Sequence, residues 1–166
     1  MARNYHFLLP LLSIFLVRVD LTDLIPLQMK FKRWEVLDGD TVKVEFSNSS
    51  FRVRLLNIDA PEMGQMAGGV DLGEFSRKCL KVLLSKHRTL SLMGHDQYHR
   101  MLGEIEGVSL KMVSHGCAYL YDYAKFTNRA QKTRYQVSQN QAQKLRRGLW
   151  KFKVLSPRLY RQRRFK

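Results

Sequence analysis

Four carboxylates stand close together in a chain in which acids are scarce. Asp38 and Asp40 flank a glycine, and Asp59 and Glu62 follow later in the sequence. Because the first pair begins one predicted strand and the second pair ends another, strand pairing can bring them together. Two carboxylates, a backbone carbonyl and waters form an oxygen-only site, which suits Ca²⁺ better than zinc. An EF-hand loop is excluded, since counting from Asp38 places Ser49 where the bidentate glutamate belongs.

Two arginines are candidates for work on a phosphate beside these acids. Arg54 lies on the polar face of the third predicted strand, and Arg100 follows a charged turn. A pair of guanidinium groups can clamp a phosphate and stabilise the extra charge of a pentacoordinate transition state. Each is equally interpretable as a solvated surface base, because the chain holds 29 Lys and Arg. The Asp-Gly-Asp at residues 38–40 is likewise open to interpretation as an ordinary hairpin turn.

The composition fits one basic folded domain. Of 166 residues, 29 are Lys or Arg and 14 are Asp or Glu, so the formal net charge is +15. The aromatic content of 11% is too high for a disordered tail protein, and two cysteines exclude an all-cysteine zinc site. The charge indicates a polyanionic partner, which is either nucleic acid or an anionic membrane surface.

Apolar periodicity predicts the elements that must position these side chains. Residues 30–46 form a hairpin turning at residues 38–39, residues 51–58 a third strand, and residues 89–93 and 101–105 two more. Three-to-four spacing predicts helices over residues 73–86, 109–115 and 130–147. This order favours an α+β fold, and five short strands with a helix after the third fit a small Greek-key barrel of the OB type.

Four segments of the chain resemble the staphylococcal nuclease family. They are Asp38-Gly39-Asp40-Thr41-Val42, the run RLLNIDAPE from Arg54 to Glu62, the run DQYHR at residues 96–100, and Gly148-Leu149-Trp150. They occur in the family's order and together span about residues 30–150. The resemblance implies a five-stranded OB-type β-barrel with about three helices. It also implies a Ca²⁺-dependent nuclease that hydrolyses DNA and RNA with little sequence specificity and leaves 3′-phosphate ends.

The resemblance assigns a role to each matched acid. Asp40 and Asp59 match the metal-ligating carboxylates, and Ala60 stands where the family supplies a metal-binding backbone carbonyl. Glu62 matches the general base. A bound Ca²⁺ would act as a Lewis acid on a phosphate oxygen and orient an attacking water.

Arg54 and Arg100 match the family's two phosphate-binding catalytic arginines. The family commonly has glycine before the second arginine, whereas this chain has His99. If the backbone at residue 99 needs a positive φ, we expect a displaced Arg100 and a slower reaction. Otherwise, His99 is simply a solvent-exposed residue of the turn. Three tyrosines are candidates for stacking on bases or sugars, or else are ordinary half-buried aromatics: Tyr98, Tyr121 and Tyr123.

The domain organisation follows from the two ends of the chain. Residues 1–27 include an uncharged apolar run from Phe7 to Val17, which is too short to span a bilayer but fits a secretory signal or part of an uncleaved anchor. A buried helix packed on the domain is the alternative. We expect export to the periplasm or beyond the cell, or membrane attachment, with a cytoplasmic location still open. The nuclease-like domain is expected over residues 28–153, followed by a basic tail over residues 154–166.

Other interpretations stay open at this point. The same barrel could be an inactive nucleic-acid-binding module, although all five expected side chains are present, which favours activity. The pair His95 and His99 is near a zinc-protease pattern, but its flanks do not favour the helix that this chemistry needs. Cys79 and Cys117 either form a disulfide or are separate buried residues. We expect a monomer, and no protein partner is implied.

Overall fold

The structure is a computed structural model, and it describes residues 27–85, 89–98 and 100–164. The predicted signal or anchor at the N-terminus and the substitution at His99 lie outside the described residues. Within those ranges, no helix combines the length and the apolar character that crossing a membrane requires.

The described residues contain ten short strands and four α-helices. The strands are β1 (Leu27–Lys30), β2 (Arg33–Val36), β3 (Thr41–Phe46), β4 (Ser49–Leu55), β5 (Ile58–Asp59), β6 (Met66–Ala67), β7 (Val70–Asp71), β8 (Thr89–His95), β9 (Met101–Glu104) and β10 (Tyr119–Leu120). The helices are α1 (Leu72–Leu84), α2 (Val108–Ser114), α3 (Arg129–Lys144) and α4 (Pro157–Arg164). A single turn of 3₁₀-helix, Gly148–Lys151, lies between α3 and α4.

Six of the strands form one curled sheet in the order β1-β8-β9-β4-β3-β2. The pair β4–β9 is parallel, and the other neighbouring pairs are antiparallel. β1 and β2 lie at opposite edges although only Phe31 and Lys32 separate them along the chain. The sheet must therefore curl until its edges approach, as in a barrel. Counting β1 and β2 as one interrupted strand gives five strands, and the predicted α+β fold of the OB type is confirmed.

The apolar faces of these elements meet in one main core. The alternate residues Val42 and Val44 of β3 and Val53 and Leu55 of β4 are fully buried, as the period of two predicted. Leu80 and Leu84 of α1 pack into the same core at a helical spacing of four. The Asp71 side chain caps α1 by accepting the backbone N–H of Glu74 at 3.1 Å, which fixes where the helix begins.

The two cysteines are joined in a disulfide that ties α1 to the residues following α2. The Cα atoms of Cys79 and Cys117 lie 6.1 Å apart, and their sulfurs are bonded. Of the two alternatives left open by the sequence, the pair is the one observed. Nearby, the buried hydroxyl of Ser76 on α1 donates to the carbonyl of Cys117 at 2.6 Å. These links hold α1 against the segment that follows α2.

The structure of the C-terminal segment differs from the basic tail that the sequence predicts. Residues 154–166 are expected as a basic tail beyond the domain, but Pro157–Arg164 form α4, which packs against the face carrying the candidate site. Proline favours the first position of a helix because its fixed φ is already helical. The observed count is four α-helices rather than about three, and α4 accounts for the difference.

Candidate active site

Asp40 is buried directly before β3, at the end of the turn that leads from β2. Its Oδ1 accepts the hydroxyl of Thr41 at 3.0 Å, and its Oδ2 accepts the backbone N–H of Ala60 at 2.9 Å. The Asp38 side chain accepts the backbone N–H of Asp40 at 2.9 Å and so fixes the turn. Two hydrogen bonds therefore hold the carboxylate of Asp40, and a third holds its backbone.

Gly39 is required in this turn because there is no space for a side chain. A Cβ built at that position would overlap the hydroxyl of Ser76 on α1 and the Cβ of Ala60. The close approach of α1 thus presses the turn against the residue that follows Asp59. Sequence analysis found the Asp-Gly-Asp, but the neighbour that makes the glycine necessary lies 37 positions away in sequence.

Asp59 lies at the same site as Asp40, on the segment of the chain that follows β4. After β4 the chain turns at Leu56 and Asn57, and Asn57 has a φ of 66°, a left-handed conformation that asparagine tolerates better than most residues. β5 then pairs with β10, with Asp59 opposite Tyr119. This tight reversal returns the chain so that Asp59 lies beside Arg54, five residues earlier.

Arg54 bridges the two predicted metal-ligating acids. Its Nη1 donates to Asp40 Oδ1, and its Nη2 donates to Asp59 Oδ1 at 3.2 Å and to the carbonyl of Ile58 at 3.3 Å. The side chain is only 15% exposed. Burial lowers the pKa of Arg54, but the charge and hydrogen bond of Asp40 outweigh it and raise that pKa above its ordinary value. One guanidinium spans both carboxylates, so the predicted pair of acids does converge.

Glu62 lies on the loop between β5 and β6 and lines the cavity with a half-exposed side chain. Its backbone N–H donates to Gln65 Oε1 at 3.3 Å, and its carbonyl accepts the backbone N–H of Gln65 at 3.0 Å. Gly73, at the start of α1, allows the loop to pass close by, because a Cβ there would overlap the carbonyl of Glu62. The buried Gln65 also donates to the carbonyl of Leu155 at 3.0 Å, which ties the loop to the approach of α4.

Arg161, on α4, contacts two of the predicted site residues. Its Nη2 donates to both carboxylate oxygens of Asp59, at 3.1 and 2.9 Å, and its Nη1 donates to Glu62 Oε1 at 2.7 Å. Burial lowers the pKa of Arg161, but these hydrogen bonds and charges outweigh it and raise that pKa above its ordinary value. Asp59 therefore lies between two guanidinium groups, those of Arg54 and Arg161.

Arg100 approaches the site from the turn between β8 and β9. Asp96 accepts its backbone N–H at 2.9 Å and its Nε at 2.7 Å, so the arginine is held by its own turn. Burial raises the pKa of Asp96, but these bonds and the N–H of Tyr98 overcome that and lower it. Arg100 lies 5.6 Å over the ring of Tyr98, and both residues line the cavity.

These residues surround one cavity of about 740 Å³. It is lined by Asp38, Asp40, Thr41, Arg54, Ala60, Pro61, Glu62, Met63, Gln97, Tyr98, Arg100, Tyr121, Arg161 and Arg164. A second cavity of about 580 Å³ adjoins it and shares Arg54, Tyr98, Arg100 and Tyr121 with it. Tyr123 lines only the second cavity, so the three predicted tyrosines border the two spaces together.

Burial is the main cause that raises the pKa values of Asp38 and Asp59, and the charge of Asp40 adds to the rise. Burial raises the pKa of Asp38 to about 6, and the charge of Asp40 adds to the rise. Burial also raises the pKa of Asp59, opposed by the hydrogen bond and charge of Arg161 and increased by the charge of Asp40. A cation placed among these carboxylates would relieve this repulsion.

The donor set fits a divalent hard cation. Asp40 and Asp59 offer carboxylate oxygens that one guanidinium already spans, and Ala60 borders the same cavity. No group of three or more His, Cys, Asp or Glu side chains is arranged to hold a metal within residues 27–85, 89–98 and 100–164. Two carboxylates with carbonyl and water oxygens would then form the coordination shell, which is the chemistry of Ca²⁺ rather than of zinc.

The residues that sequence reasoning missed are those supplied from far along the chain. Arg161 and Arg164 line the cavity, and Gln65 links the Glu62 loop to Leu155. Arg161 lies among seven bases after Trp150, and nothing local distinguishes it from the rest. Pro157 was a signal in the sequence, because proline is common at the first position of a helix. It indicates an ordered helical segment rather than a solvated tail.

Comparison with known proteins agrees with this geometry. Residues 52–152 match the family described as staphylococcal nuclease homologue. The chain is 38% identical over 121 residues to an uncharacterized endonuclease of Escherichia coli O157:H7, covering 69% of this chain and 72% of the relative. It is 31% identical over 129 residues to a micrococcal nuclease of Shigella flexneri, covering 69% of this chain and 70% of that protein. The chain belongs to the staphylococcal nuclease homologue family.

Proposed function

We propose that this protein is a Ca²⁺-dependent nuclease that hydrolyses phosphodiester bonds of DNA and RNA and leaves 3′-phosphate ends. The observation that carries the proposal is the convergence of Asp40 and Asp59 on Arg54, at a cavity that Glu62 and Arg100 also line. Family membership and relatives named as endonucleases support the nuclease activity. The oxygen-only donor set supports calcium.

Each residue has a distinct task in this proposal. Asp40, Asp59 and the carbonyl of Ala60 would hold the ion. When bound, Ca²⁺ supplies Lewis-acid polarisation of a phosphate oxygen. Glu62, on the cavity wall, accepts a proton from the water as the water oxygen bonds to phosphorus. The bond from phosphorus to the 5′-oxygen breaks, and that oxygen takes a proton from solvent and leaves as the 5′-hydroxyl. Arg54 and Arg100 stabilise the charge that grows on the phosphate oxygens.

Substrate binding rests on charge and stacking rather than on sequence readout. The net charge of +15 attracts a polyanion and gives a binding constant that falls as salt rises. Tyr98 and Tyr123 are exposed beside the two cavities, where their faces can stack on bases or sugars. Stacking tolerates every base, so we expect little sequence preference on single-stranded substrates.

A cleavage assay with matched variants tests the proposal. Purified protein is incubated with single-stranded DNA, duplex DNA and RNA, with calcium or with EDTA, and the end groups are identified by phosphatase treatment. We expect cleavage only with calcium, 3′-phosphate products, and its loss in Asp40→Asn. Arg33→Gln is the matched control, because Arg33 is exposed on β2 and forms only a long surface ion pair with Glu45. Retained binding without cleavage in calcium would instead identify an inactive nucleic-acid-binding module.

We also propose that the protein is exported or attached to a membrane. The apolar run from Phe7 to Val17 supports this, and so does the Cys79–Cys117 disulfide, because disulfides persist in oxidising compartments outside the cytosol. Cell fractionation followed by N-terminal sequencing tests it. Recovery of the intact chain only in the cytosol, with both thiols reduced, would refute it.

A further inference from the structure

Arg161 occupies the acidic ligands that a calcium ion would need. Both carboxylate oxygens of Asp59 accept hydrogen bonds from Nη2 of Arg161, and Nη1 binds Glu62. The side chain of Asp59 is 5% exposed and does not reach the wall of the cavity, whereas Arg161 does. The guanidinium therefore covers Asp59 on the side from which an ion in the cavity would approach.

A guanidinium and a divalent cation cannot use the same oxygens fully at once. Charge-assisted hydrogen bonds use the carboxylate lone pairs that a metal would coordinate. Two like-charged groups at one carboxylate also repel each other. Binding of either one must therefore weaken binding of the other, by an amount that is equal in both directions.

α4 is attached to the rest of the protein in a way that allows release. Upstream of the helix, the chain is held by the bond from Gln65 to the carbonyl of Leu155, and the helix begins at the buried Pro157. Along the helix itself, Arg158 forms an ion pair with Asp122 at 3.1 Å, but both side chains are largely exposed. Such surface pairs contribute little to stability. Arg158 also lies 5.1 Å from the ring centre of Tyr123, and Arg161 is the residue of α4 whose hydrogen bonds reach Asp59 and Glu62.

We propose that α4 is a C-terminal latch, in which Arg161 holds the helix on Asp59 and Glu62 in the metal-free protein and calcium displaces it. This inference rests on the proposed function, since it takes Asp59 as a metal ligand. The latch neutralises Glu62 as well, so the metal-free site lacks both its ion and its free base. Calcium binding frees the carboxylate of Glu62 and releases the guanidinium of Arg161, which can then pair with substrate phosphate.

Calcium titration of the full chain tests the competition directly. The affinity of calcium is measured by isothermal calorimetry for the wild type, for Arg161→Gln and for Arg163→Gln, which alters an exposed arginine on the same helix. If the latched state dominates without metal, removing Arg161 should tighten calcium binding roughly tenfold, because the cost of displacing it disappears. Arg163→Gln should bind calcium as the wild type does. Asp40→Asn serves as the variant that loses the metal site.

Hydrogen exchange on the wild-type protein gives a second readout that needs no variant. The amides of residues 158–164 should exchange more slowly without calcium than at saturating calcium, when the helix is released. Equal or weaker calcium binding in Arg161→Gln, together with unchanged exchange in residues 158–164, would overturn the latch. Absence of calcium binding in every protein, wild type included, would instead refute the proposed calcium site. The two failures are therefore distinguishable.

Discussion

Replacing Arg54 and Arg100 separately by glutamine should distinguish two roles of an arginine at this site. One role is to neutralise buried carboxylates in the folded protein, and the other is to stabilise the charge that develops on the phosphate during the reaction. Arg54 is 15% exposed, lies between Asp40 and Asp59, and also binds the carbonyl of Ile58. Removing it leaves two buried carboxylates facing each other with one fewer cation. Breaking a buried ion pair in this way costs about 3–5 kcal/mol.

Arg100 provides the comparison because its environment is different. Its side chain is 43% exposed and its ion pair is with Asp96 in its own turn. Loss of such a pair costs at most about 1 kcal/mol. Since each kcal/mol moves the Tm of a domain of this size by about 2–4 °C, we expect a fall of roughly 6–20 °C for Arg54→Gln and of at most about 4 °C for Arg100→Gln.

Turnover should respond differently from stability. Each variant removes a cation from the phosphate, so each should lose on the order of 10²-fold or more in kcat. Thermal unfolding in EDTA and in saturating calcium supplies the other half of the experiment. The deficit of Arg54→Gln should shrink in calcium, because the ion then neutralises Asp40 and Asp59. Equal losses of Tm in the two variants, or a deficit unchanged by calcium, would refute the reasoning about charge.

Two further predictions concern the surroundings of the site. Burial favours the neutral form of Asp38, so its raised pKa of about 6 destabilises the fold at higher pH. Asp38→Asn should raise stability by at most about 3 kcal/mol above pH 6 and by nothing below pH 3.8, as measured by denaturant unfolding in EDTA. The Cys79–Cys117 bridge closes a loop of 38 residues and should contribute about 4 kcal/mol, so the double serine variant should melt roughly 10 °C lower in a calorimeter. A melting temperature unchanged by this substitution would contradict the predicted contribution of the bridge.

The features that could be predicted from the sequence are those that depend on residues close together in the chain. Alternation in β3 and β4 identified the strands, because buried residues such as Val42 and Val53 must recur every second position. The same strands locate the two acids, since Asp40 directly precedes β3 and Asp59 lies four residues after the end of β4. The sharp return at Asn57, which places Asp59 beside Arg54, uses a positive φ that the residue type only permits.

The features that sequence did not predict depend on contacts between distant residues. β5 and β10 are two residues each, which is too short for any periodicity to be seen. α4 has eight residues, four of which are arginines, and this is too short for a repeating apolar pattern to be recognised. The Arg161 contacts span 99 and 102 positions to Glu62 and Asp59. Only the folded arrangement selects this arginine from the neighbouring ones.

The net charge of the site determines how the proposed latch would affect the attraction of phosphate. Four acids (Asp38, Asp40, Asp59 and Glu62) and four arginines (Arg54, Arg100, Arg161 and Arg164) lie in or directly beneath the cavity. With all eight ionised, the metal-free site is close to neutral and attracts a phosphate no better than an ordinary surface does. In the proposed latch, a divalent ion would add two positive charges to this site and would release the guanidinium of Arg161 from its carboxylates. Under that proposal, metal binding would create the field that attracts the phosphate, and the remaining bases of the chain would raise the local concentration of nucleic acid.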